Sequence, residues 1–316
     1  MAKINREDIQ IINRHSNWSQ KNIAKTLKEN IYNNASAWHQ FLKLFFLALG
    51  ISFITFGIIF FFAYNWEELH KFTKIGLIEG LLVLVTLILL FSKISLVTKN
   101  ILLTASSILV GVLLAVFGQI YQTGANAYDL FLGWTLLITL WVIVSNFSPL
   151  WLIYITLINT TLILYAQQVA YNWSGVTVFT LLFTINTLLL LSFIALPALI
   201  KKPNPPGWFT NVLALASVSF GTIGIVSGIF ENYDPFFVLL LFLVLSLYAV
   251  GVWYALRIKN SFYLSIISFS CIVIVSAFLL KISEDAGMVF FIGLFIIASV
   301  TLVIKTLIDL QKKWTK

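Results

Sequence analysis

Apolar residues recur along this chain in ten long runs, near 41–64, 75–92, 101–122, 129–147, 149–168, 174–200, 208–230, 236–256, 261–280 and 286–304. About 20 apolar residues in a helix cross the roughly 30 Å of bilayer hydrocarbon. The runs are continuous, whereas the strands of a membrane barrel alternate over about ten residues. Backbone groups in lipid must be satisfied within their own segment, so each run predicts a helix. The fold class expected is therefore all-α: a polytopic transmembrane helix bundle of ten spans with a short helical cytoplasmic N-terminus.

Charge tests the count. With the N-terminus placed inside, seventeen of the twenty Lys and Arg residues fall on the cytoplasmic side, and only Lys71, Lys74 and Lys281 fall outside. Cytoplasmic loops carry this excess of basic residues, and an error of one span would scramble it. The weakest break, Ser145-Asn146-Phe147-Ser148-Pro149, is read as a hairpin. Fusing the fourth and fifth runs would send Lys201, Lys202, Arg257 and Lys259 outward. The first run begins after forty more polar residues and carries no cleavage pattern, so it is not read as a signal peptide.

Composition excludes the other broad classes. Of 316 residues, 60% are apolar and 10% charged, against about 25% charged in soluble domains. One cysteine, Cys271, cannot form an internal bridge, and mid-run it reads as a small buried apolar residue. The net charge of +8 sits on the cytoplasmic flanks, where each cation near an anionic leaflet gains about 1 kcal/mol. That placement suits membrane lipids and no nucleic acid.

Residues 1–40 read as a cytoplasmic amphipathic segment of two short helices. Asn5 is a candidate cap for the first, which carries Ile4, Ile9, Ile11 and Ile12; Ser19 caps the second, with Ile23, Leu27 and Ile31 at helical spacing. The segment is a candidate docking point for an envelope protein partner. Further divisions are 41–200 for six spans, a Pro-rich cytoplasmic loop at 201–207, four spans over 208–304, and a basic tail at 305–316.

Polar residues inside or beside spans carry the functional signal. Glu79 lies within the second run, between Gly76 and Gly80. A carboxyl at membrane depth is expensive unless paired or wetted, and small residues four apart let a neighbouring helix approach. Glu79 is expected to face the third span and to hydrogen-bond Gln119 or Gln122, which share a helix face. With Tyr121, Tyr128 and Asp129 beyond a glycine turn, and Asn65 and Trp66 after the first run, they form a candidate substrate-binding set at the outer face. The competing reading of the aromatics is an interfacial belt. The tetrapeptide Ala63-Tyr64-Asn65-Trp66 returns as Ala170-Tyr171-Asn172-Trp173; by itself it does not establish a duplication.

No catalytic constellation, metal-ligand spacing or cofactor fingerprint is present in the sequence. His15, His39 and His70 are scattered. The order of features to about residue 170 resembles domain of unknown function 2157, a bacterial membrane-protein family. Phe61-Phe62-Ala63-Tyr64-Asn65-Trp66, Lys74, Glu79, the run Phe117-Gly118-Gln119-Ile120-Tyr121-Gln122-Thr123-Gly124-Ala125-Asn126-Ala127-Tyr128-Asp129-Leu130-Phe131, Trp134, Pro149-Leu150-Trp151 and Leu164-Tyr165 carry the likeness. Asn126 stands where members often have aspartate. The resemblance implies a bacterial inner-membrane protein and no particular activity or cofactor. Three roles fit the residues: a carrier or lipid-handling protein with an outer-leaflet polar site, a non-catalytic scaffold of an envelope complex, or an intramembrane transferase using Glu79 and Asp129.

Overall fold

A computed structural model describes residues 6–32, 35–64, 67–122, 124–199, 204–231, 234–283 and 285–314. These form twelve helices and no strand. Two are short, α1 (Arg6–His15) and α2 (Gln20–Asn30). Ten are long and apolar enough to cross a membrane: α3 (Ala35–Tyr64), α4 (Lys71–Phe91), α5 (Leu96–Tyr121), α6 (Ala127–Ser145), α7 (Ser148–Gln168), α8 (Gly175–Leu199), α9 (Gly207–Phe230), α10 (Phe237–Ile258), α11 (Ser261–Ile282) and α12 (Ala286–Trp314). All ten apolar runs are helices. The chain is a multi-pass membrane protein.

The expected punctuation is visible at the helix ends. Ser19 caps α2, its hydroxyl accepting from the Asn22 amide, while Asn5 lies outside the described residues. Against the second helix, α1 buries Ile9 completely. The break between the fourth and fifth runs is a hairpin. Asn146 adopts the left-handed conformation (φ 46°) after α6, and Pro149 stands in the first turn of α7, where its missing N–H costs nothing.

Contacts between helix ends show that the helices run alternately up and down. At the end holding residues 67–70, 124–126, 169–174 and 234–236, the Tyr128 amide donates to Gln168 Oε1 (3.0 Å), and Lys281 lies over the Phe230 ring. At the opposite end, Trp151 stacks edge-on against Phe193, Phe193 against Phe209, and Tyr254 against Tyr263. The amide of Gln311 also donates to Ser261 Oγ there. We call the first the distal end and the second the terminal end.

Close packing centres on α9. A Cβ added to Gly221 would meet Phe183 at 2.9 Å, and one added to Gly224 would meet Leu240 at 2.7 Å and Phe179 at 2.9 Å. Glycine is required here because helices in lipid gain their association from close backbone approach. Gly76 and Gly80 do not play that part: an added Cβ at either meets nothing within 4 Å. The sequence spacing is right on α4, but its packed face carries Lys74, Ile78 and Leu82 instead.

Side-chain hydrogen bonds join the middle helices. Asn159 and Asn186 exchange amide bonds of 3.2 and 2.8 Å between α7 and α8, and Asn186 is wholly buried. Thr187 bonds Ser217 between α8 and α9, and Thr222, Tyr248 and Ser270 join α9, α10 and α11. Ser270 takes the inward position on α11, which turns its neighbour Cys271 outward. Cys271 is exposed, not buried as its sequence setting suggested.

Candidate functional site

Three features of the chain open a cavity at the distal end between α5 and α6. On α5, Leu114, Gly118 and Gln122 succeed one another at intervals of four, a spacing that lines them along one face. Gly118 has no atom within 4 Å of where a side chain would begin, so this face stays open rather than closing on α6. The helix then ends abruptly: Gln122 is left-handed (φ 42°, ψ 51°) and Gly124 follows at φ 64°.

The next helix starts from a capping box. The Asp129 amide donates to the Asn126 backbone carbonyl at 3.1 Å, and the Asp129 carboxylate accepts from the Asn126 amide at 3.0 Å. That reciprocal pair fixes where α6 begins. It also ties Asp129 beside the cavity mouth. A Tyr128 ring set edge-on to Tyr165 (5.3 Å), with Tyr165 against Trp173, steadies the same corner from α7.

The resulting cavity holds about 390 Å³. Its polar wall is Gln119, Gln122, Asn126 and Asp129; its apolar wall includes Leu114, Phe117 and Leu130. Amides supply donors and acceptors, and Asp129 is the one ionisable lining residue among those described. Such a lining can hold a polar group at the helix ends while an attached apolar chain lies along the helix shafts.

Of the residues singled out in sequence, Gln119, Gln122 and Asp129 come together in this cavity. Tyr121 and Tyr128 stand beside it: Tyr121 is exposed and rests against Phe117 (ring centroids 4.5 Å apart), and Tyr128 is occupied with α7. Asn65 and Trp66 lie outside the described residues. Glu79 is not part of the cavity. It is exposed on α4 and makes no hydrogen bond to Gln119 or Gln122 among the described residues. The face that meets α5 is filled by Ile75, Ile78 and Leu82 against Val112, Leu113, Val116 and Ile120, which leaves Glu79 on the flank. Sequence reasoning passed over the four-residue stripe Leu114, Gly118, Gln122, which was readable from spacing alone.

With this geometry in view, the comparisons with known proteins fall into place. Residues 17–151 match the family described as predicted membrane protein (DUF2157). The match runs from just before α2 through α6 and contains every residue lining the cavity. It bears out the resemblance over this part of the chain, while α8–α12 lie beyond the DUF2157 match. No curated protein and no solved structure matches the chain.

A second cavity, of about 430 Å³, lies at the terminal end between Asn146, Trp151, Phe193 and Pro206. Trp151 Nε1 is buried without an acceptor among the described residues.

Proposed function

We propose that this protein is a lipid-handling protein of the bacterial inner membrane that takes a lipid headgroup into the α5–α6 cavity from the outer leaflet. The carrying observation is the split lining: amides and one carboxylate at the helix ends, apolar side chains below. Ligand sites of this size are largely apolar with a few placed polar groups. Asp129 disfavours a purely anionic headgroup, and the amides favour hydroxyl-bearing or zwitterionic ones. The outer-leaflet assignment rests on the distribution of basic residues along the sequence, and Arg257 and Lys259 stand at the terminal end.

Two measurements test this. The full chain, purified in mild detergent, is expected to retain hydroxylated or zwitterionic lipid detectable by native mass spectrometry. Each lost amide bond costs about 0.5–1.5 kcal/mol, so Gln119→Leu combined with Gln122→Leu should weaken retention by about tenfold at unchanged thermal stability. An unchanged lipid complement refutes the site. Orientation is read by impermeant thiol labelling in a Cys271→Ser background. A cysteine at Tyr171, which is 78% exposed, should label from outside and one at Lys259 should not; the reverse pattern inverts the assignment.

A further inference from the structure

The repeated Ala-Tyr-Asn-Trp is the start of a longer correspondence. Extended without a gap, residues 63–84 align with 170–191, matching again at Phe72/Phe179, Thr73/Thr180, Ile78/Ile185 and three leucines. Further on, Asn100-x-Leu-x-x-Ala-Ser opens α5, and Asn211-x-Leu-x-x-Ala-Ser opens α9. Finally, Tyr128-Asp129-x-Phe131 begins α6, and Tyr233-Asp234-x-Phe236 precedes α10. Three matches fall in the same order on successive helices. Asn, Tyr, Trp, Asp and Ser are conspicuous among them, and a shared apolar composition does not supply those.

Helix contacts repeat with the sequence. In the first set, α4 and α6 both pack on α5, and α3 touches α5 as well; in the second, α8 and α10 both pack on α9, and α7 touches α9. The fourth helix of each set packs on the helix after it, α6 on α7 and α10 on α11. A shift of four helices preserves the direction of each helix across the membrane, so the relation is a parallel one.

The two sets differ where they open. Gly118 of α5 lines the distal cavity, whereas Gly228, one residue before the position on α9 that aligns with it, is covered by the Phe237 ring. Likewise, α7 is fastened to α8 by the Asn159–Asn186 amide pair, whereas α3 packs chiefly on α5. The ungapped alignment sets Asn159 against Ser52 and Asn186 against Glu79. Ser52 is exposed, and so is Glu79, a carboxyl whose exposure to hydrocarbon is costly.

We infer that α3–α6 and α7–α10 are two copies of one four-helix unit, the second closed and the first open, and that Glu79 closes the first by bonding Ser52 of α3 as Asn186 bonds Asn159. The proposal concerns helix docking and does not depend on the cavity's ligand. It assigns Glu79 a positioning role.

Cross-linking in the full chain with Cys271→Ser tests it. Asn159→Cys with Asn186→Cys is the reference pair, and Ser52→Cys with Glu79→Cys is the test pair. A short bifunctional thiol reagent should join both within one molecule. Linkage of the reference pair alone overturns the proposal; failure of the reference pair also overturns it, because the template geometry is then absent. A second arm copies the closed unit into the open one. Ser52→Asn with Glu79→Asn should keep or raise the melting temperature in detergent, while Glu79→Leu should lower it. Equal melting temperatures for these two variants refute the role given to Glu79.

Discussion

Gly224→Leu is expected to lower the melting temperature of the detergent-solubilised protein by about 10 °C or more, or to abolish its folded yield. A Cβ at this position would stand 2.7 Å from a Leu240 methyl and 2.9 Å from the Phe179 Cβ. Leu240 is fully buried, and a Cβ cannot swing aside without moving its backbone. Overpacking a core typically costs about 1–3 kcal/mol, and a whole leucine side chain at the joint of α8, α9 and α10 lies at or above the top of that range. Gly50→Leu and Gly80→Leu are the controls, since an added Cβ at either meets nothing within 4 Å. They add the same atoms to open faces and should shift the melting temperature by no more than about 2 °C. Equal effects at Gly224 and Gly50 would mean that α8 and α9 are not in close contact.

That contrast marks the limit of what hydropathy could say. Ten spans, their order and the hairpin at Asn146 were legible because a bilayer demands internally bonded apolar helices, and the sequence pattern states that demand directly. Which face of each span meets which neighbour was not legible. Gly76 and Gly80 have the same four-residue spacing as Gly224 and Gly228, yet only the α9 pair is packed. In a span that is apolar all round, periodicity does not distinguish the lipid-facing side from the protein-facing side, because both are satisfied by leucine and phenylalanine.

The candidate site was partly legible for a related reason. Gln119, Gln122 and Asp129 stood out as polar residues at a helix–turn–helix junction, and they do line one cavity. Their assembly is local in sequence, so spacing and turn chemistry sufficed. Glu79 was joined to them by depth alone, and depth does not fix rotation about a helix axis. Ile78 points into the α4–α5 seam, and one residue further the helix has turned about 100°. Cys271 next to Ser270 is the same one-residue lesson on α11.

The seam that supports the cavity yields the second large effect, at Trp134. Its indole N–H donates to the Ser107 carbonyl at 2.6 Å, and its ring lies against Gly111, where an added Cβ would stand 2.5 Å away. The indole thus fills the notch that glycine leaves in α5, one residue beyond Gly133 of the cavity wall. Trp134→Ala removes both ring and hydrogen bond. Large-to-small changes of this type cost about 3–5 kcal/mol in well-packed sites, so separation of α5 and α6 should lower the melting temperature and, under the proposed function, reduce lipid retention. Trp134→Phe keeps most of the ring and should cost about 1 kcal/mol for the lost bond. Gly111→Leu alone should be as damaging as Trp134→Ala, by collision rather than by a void. Combined, the two changes exchange a large residue for a small one across the same gap. The double variant should therefore recover about 1–2 kcal/mol relative to the sum of the singles, which is the coupling expected of residues in direct contact. Strict additivity of the two would show that Trp134 does not rest on Gly111, and would leave the α5–α6 seam without its wedge.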